Sequence, residues 1–195
     1  MVRKRFFILF ILTVIMLHSQ LLQAGQSFLS SEQIKTMLKN NVLIEGYADE
    51  FRNLHSDLSA IIETLKPSSP KEMNIEDISH FYGYLLIRLS ISELYHLLSY
   101  EIEASAYYLL LDNKWKSEEI INYRIQNLKT LRHRAQKTLE VIQESYGLTS
   151  NSGMLRLYDK AKEILRPLIS ALDEKINIYE SIKTDTQDNS SLSTE

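Results

Sequence analysis

Glu93-Leu94-Tyr95-His96 is the arrangement in this sequence with the sharpest chemical meaning. On a helix, positions i and i+3 project side by side, so a carboxylate and an imidazole can reach one metal ion, as they do in carboxylate-bridged metal bundles. Such a centre needs the pair twice, with a lone Glu from each remaining helix. The nearest second copy is Asp77-x-x-His80, on the same stretch of chain. At 100° and 1.5 Å per residue, His80 and His96 point about 160° apart and stand about 24 Å from each other. One site cannot use both. Glu93 and His96 are therefore the candidate ligands of an alternative reading, a metal-binding bundle. In the plainer reading Ser92, His96, Ser99 and Glu103 form a polar line on a helix. A haem version would draw axial ligands from His55, His80, His96, His133, Met37, Met73 and Met154, without covalent attachment, because C-x-x-C-H is absent.

Two further groups could bind rather than react. Lys129, Arg132, His133 and Lys137 share one helix face, with Arg134 beside them, and could hold an acidic partner or an anionic surface. Paired with acids of a neighbouring helix, they would be an ordinary solvated face. The 11 tyrosines include Tyr82, Tyr84, Tyr95, Tyr100, Tyr107 and Tyr108 in one stretch, where amphipathic rings suit a core edge or a recognition surface. Tyr100 and Tyr107 are the candidate anchors. Gly83, between Tyr82 and Tyr84, suggests a close helix approach. The chain has no G-x-S-x-G, H-E-x-x-H or P-loop motif, so no enzymatic activity is expected.

Composition narrows the chemistry further. With no Cys, the chain of 195 residues has no disulfides, thiolate metal sites or cysteine nucleophiles. With 5 Gly and 3 Pro it lacks the turns that a sandwich or barrel requires. Residues 1–24 open with Arg3, Lys4 and Arg5, continue through an apolar run over 6–17 and reach Ala24 before Gly25, the three-part shape of a signal peptide. The run is about twelve residues, short of the roughly 20 that a spanning helix needs. Cleavage after Ala24 is expected, and an uncleaved anchor holding a structural spacer is the alternative. Cleavage would remove three of the 22 basic residues and none of the 25 acidic ones, taking the net charge from −3 to −6, which disfavours nucleic acid as a partner. An exported chain without Cys suits a bacterial periplasm.

The elements that must position these residues are helices. In the first periodic stretch, over about 31–66, Ser30 and Gln33 read as a capping box, and Tyr47, Phe51, Leu54, Leu58, Ile61 and Leu65 recur at spacings of four and three. Asn40, Asn41 and Gly46 are weak points within it. Pro67 and Pro70 end the stretch. Asn74 caps a second, running to about Asp112, whose two apolar lines (Ile78, Tyr82, Leu85, Leu89; Leu94, Leu98, Ile102, Leu109) mark it as the most buried. A third starts after Ser117, carries Ile121, Ile125, Leu128, Ala135, Leu139, Ile142 and Tyr146, and stops at Gly147. A fourth runs through Tyr158, Ala161, Leu165, Leu168, Leu172, Ile176 and Tyr179, with a kink expected at Pro167. Residues 184–195 are polar and read as a disordered tail.

Leu29-Ser30-Ser31-Glu32-Gln33 resembles the L-T-x-x-Q motif that opens a helix in periplasmic stress chaperones of the Spy type, with Ser in place of Thr. The resemblance implies an exported all-helical protein that binds clients as a chaperone or adaptor. The expected architecture is all-α: an up-down-up-down bundle of four long helices with coiled-coil-like packing over 25–183. Its expected role is non-enzymatic binding of a protein or envelope surface, with no cofactor and with a second copy as one way to complete an exposed seam.

Overall fold

Among the described residues the chain forms four helices: α1 (Ser31–Leu65), α2 (Ile75–Leu110), α3 (Glu118–Tyr146) and α4 (Ser152–Ser191). The computed structural model describes residues 30–66, 74–110 and 118–191, and the side chains within them except at 108–110, 118 and 184–191. The segment over 1–24, Met73, the Pro67 and Pro70 connection and the start signal at Ser117 lie outside the described residues. At 1.5 Å per residue the rods are roughly 45 to 60 Å long. Each helix packs on two neighbours, α1 on α2 and α4, and α3 on α2 and α4, which is an up-down four-helix bundle. The seam between α2 and α3 is the thinnest of the four.

The helix ends follow local chemistry. Ser30 Oγ accepts from the Gln33 amide at 3.1 Å, and Gln33 Oε1 accepts from the Ser30 amide at 2.8 Å, so the capping box closes in both directions. Lys66, ahead of Pro67, leaves the helix in extended geometry. Asn74 Oδ1 accepts from the Asp77 amide at 2.8 Å, and Asn151 Oδ1 from the Met154 amide at 3.0 Å, capping α2 and α4. α3 stops at Tyr146, just before Gly147. α4 passes Pro167 without ending and runs on to Ser191, so most of the segment expected to be disordered continues the helix. Pro167 is exposed, where a lost intrahelical bond is replaced by water, and extending a helix that already exists is far easier than starting one.

The periodic residues largely face inward. Phe51, Leu54, Leu58, Leu128, Ala135, Ile142, Leu165, Leu168 and Leu172 are all core residues, joined by Ile87, Ile91, Leu94 and Leu98 from α2. One expectation is reversed. Among the described residues α2 contributes the fewest buried apolar side chains and α4 the most, from Met154 to Ile182. The first apolar line of α2 faces solvent: Ile78, Tyr82 and Leu89 are exposed, and only Leu85 is partly covered. An apolar surface all round a helix shows how much could be covered, not how much is.

Gly83 does not mark a close approach either, because a Cβ built there meets nothing within 4 Å among the described residues, and the same holds at Gly46. Gly83→Ala and Gly46→Ala should each stabilise the fold by about 0.5–1 kcal/mol, through reduced backbone freedom in the unfolded chain. At Gly153 a Cβ would lie 3.0 Å from Ile61 Cδ1 and 3.1 Å from the capping Asn151 Oδ1, so Gly153→Ala should lose stability. Urea titrations of the three variants check the ranking.

Candidate functional site

All four helices send polar side chains to one level of the core. Asn40 and Asn41 come from α1, Glu101 and Ser105 from α2, Arg124 from α3, and Lys175 and Tyr179 from α4, and every one of them is buried. Glu101 Oε1 is the hub. It accepts from Arg124, from Ser105 Oγ at 2.7 Å and pairs with Lys175 Nζ at 2.9 Å. Lys175 Nζ also donates to Asn41 Oδ1 at 2.6 Å and to Ser105 Oγ at 2.7 Å. Asn40 Nδ2 donates to the Ala171 carbonyl at 3.0 Å, tying α1 to α4 by a second bond. The Arg124 guanidinium lies 5.7 Å from the centre of the Tyr179 ring, within cation–π range.

The cluster holds two cations against one carboxylate, an excess of one positive charge in a dry interior. Burial pushes the Glu101 carboxyl up, but the charges of Lys175 and Arg124 outweigh it and hold the group below the usual carboxylate range. Complete burial lowers the Lys175 ammonium against the pull of Glu101, as expected for the more dispensable of two cations. Burial raises the Tyr179 hydroxyl to about 12, with Arg124 pulling the other way. Because each charge has its counterpart on a different helix, the cluster bolts the α2–α3 seam where apolar packing is thinnest. Its chemistry is ionic and hydrogen-bonding, with the Glu101 carboxylate occupied by three donors.

None of these residues stood out as a site in the sequence, yet a signal was there. Glu101, Arg124 and Lys175 each stand three positions after a member of the apolar series (Leu98, Ile121, Leu172) and one before the isoleucine that continues it (Ile102, Ile125, Ile176), so a charged residue falls within the stripe that faces the core.

The expected site residues lie elsewhere. Glu93 and His96 are on the outer face of α2; Glu93 sits 3.5 Å from Arg134, and both are exposed. No group of three or more His, Asp or Glu side chains is placed to hold a metal among the described residues. The basic line of α3 is met by acids. Lys129 pairs with Glu180 at 2.8 Å, Arg132 with Asp173 at 2.6 Å and Lys137 with Glu140 at 2.7 Å, while His133 is exposed. Tyr100 and Tyr107 are both 57% exposed on α2, in line with Ile75, Ile78, Tyr82, Leu86 and Leu89. Ser30 and Gln33, which carry the chaperone-like motif, serve as the helix cap, and Leu29 lies outside the described residues. No helix is long and apolar enough to cross a membrane among the described residues.

At the other end of the bundle the Tyr158 hydroxyl is buried without a hydrogen-bond partner among the described residues, and burial raises its pKa strongly. Tyr158→Phe removes that unpaired donor and keeps the ring, so it should leave stability unchanged or raise it by up to about 1 kcal/mol. A fall of more than that in a thermal melt would reveal a bond to the hydroxyl. No protein-family model, curated protein or solved structure matches the chain.

Proposed function

We propose that the chain is an exported, non-enzymatic binding module whose working surface is the outward face of α2. One observation carries this: α2 has apolar side chains on two opposite faces, and the bundle covers only one. Ile87, Ile91, Leu94 and Leu98 are sealed in the core, while Ile75 is 87% exposed, Leu89 64% and Tyr82 61% on the other side. Isolated exposed hydrophobics are ordinary, but a continuous apolar line on a soluble helix marks a recognition surface. Tyr100 and Tyr107 extend the line and supply rigid anchors with a polar tip. The α3 basic line adds little, since Lys129, Arg132 and Lys137 are already paired and exposed pairs contribute weakly. Export rests on the basic start, apolar run and small residue at Ala24.

A photo-crosslinking amino acid placed at Leu89 in living cells tests the reading, with the same group at exposed Arg156 of α4 as control. Protein adducts from position 89 and none from 156 are expected. Equal labelling, or no adduct at 89, would overturn the proposal.

A further inference from the structure

We infer that the occupant of this face is a second copy of the chain, its α2 lying antiparallel along the first; the inference rests on the binding role proposed for α2. The outward residues keep the alternation of three and four almost unbroken from Ile75 to Tyr107, as a coiled-coil seam does. The face divides into two unlike halves of equal length, about 21 Å each. Residues 75–89 present Ile75, Ile78, Tyr82, Leu86 and Leu89, and residues 93–107 present Glu93, His96, Tyr100, Glu103 and Tyr107. Turned antiparallel about position 91, each half lies on the other. Ile75 then stands opposite Tyr107 of the second copy, Tyr82 opposite Tyr100, and Leu86 opposite His96. Ile75 thus meets a ring face, Tyr82 stacks on Tyr100, and Leu89 lies along the stem of Glu93, whose carboxylate reaches the rim as the tyrosine hydroxyls do. A parallel pair would set Glu93 against Glu93 and Glu103 against Glu103, which is repulsive.

Charge and area agree with this occupant. The net charge is negative, yet the outward line bears no charge over 75–89 and only Glu93 and Glu103 beyond, so two copies approach here with little repulsion and a strongly charged partner would find little to match. Ser79, Ser90, Ser92 and Ser99 flank the line and let a second helix come close. The exposed apolar and tyrosine side chains offer on the order of 900 Å² per copy, near the roughly 800 Å² per partner of a standard interface.

The absence of Cys makes the test clean. Full-length Tyr82→Cys and Tyr100→Cys proteins, treated with a short bis-maleimide, should link when mixed and stay unlinked alone, and Ile75→Cys with Tyr107→Cys should behave likewise. Each variant linking to itself would mean a parallel pair, and no linking in any mixture would mean no such dimer; either overturns the inference. Sedimentation should find a dimer whose dissociation constant rises on the order of 100-fold in Leu89→Glu with helicity unchanged. A monomeric chain whose position 89 still crosslinks to a different protein in cells would sink the dimer and leave the binding role standing. A monomer without such adducts would sink both.

Discussion

Glu101→Leu is expected to cost the fold about 3–5 kcal/mol, enough to unfold many domains of this size. The leucine removes the carboxylate that Arg124 and Lys175, two cations 1% and 0% exposed, share. It also strips Ser105 Oγ of its acceptor. Lys175→Met should behave differently, shifting stability by no more than about 1–2 kcal/mol. That change leaves Glu101 and Arg124 one to one and removes the charge that is hardest to keep dry. Its cost is the lost donor to Asn41 Oδ1 and Ser105 Oγ, the second of which still accepts from Arg124. Urea denaturation followed by far-ultraviolet circular dichroism compares the two, and equal losses would contradict the charge count drawn for the cluster.

The same pair gives a pH signature. The Lys175 ammonium has a lowered pKa in the folded chain, below the 10.5 of the unfolded one. Between the two values the unfolded state holds more protons, so stability rises with pH. Wild type should therefore gain on Lys175→Met as pH rises through the lowered folded value toward 10.5. Glu101, also lowered, contributes stability that is full above its unfolded value and lost as pH falls through the folded one.

Leu98→Ala is expected to lose about 2–5 kcal/mol and Leu89→Ala no more than about 0.5 kcal/mol, although the two leucines lie nine positions apart on one helix. Leu98 is fully buried, so truncation opens a hole that its neighbours fill only in part. Leu89 already spends most of its surface in water. Denaturation of dilute protein measures both, and a reversed order would mean that α2 turns its other side to the core.

Much of the architecture was legible in the chain. The recurrence of Phe51, Leu54 and Leu58, or of Leu165, Leu168 and Leu172, fixes both the helical state and the buried side. Ser30 with Gln33, Asn74, and Pro67 mark boundaries through local hydrogen bonding and sterics alone. What could not be read was which of two apolar faces on α2 would be covered, because that depends on where three other helices sit. The ionic cluster escaped for a related reason. Asn40 and Asn41 look like flaws in a helix until Lys175 and Ala171 are seen to meet them, and Glu101 and Arg124 are 23 positions apart. The pairing of Lys129 and Arg132 with Glu180 and Asp173 is likewise a property of neighbours, invisible in one segment, whereas that of Lys137 with Glu140, three positions on, lies within its own helix.

Rods studded with leucine and isoleucine at short regular intervals face an ambiguity of alignment: slide one by seven positions, and grease still meets grease. The ionic cluster removes that freedom. Seven positions from Lys175 stand Leu168 and Ile182, from Asn41 Ile34 and Ala48, from Arg124 Leu131, and from Glu101 Leu94. A slipped helix would thrust one of these hydrocarbons against a naked carboxylate and strand an ammonium among aliphatics. One vernier mark in an otherwise repetitive ruler thus sets the axial position of all four rods.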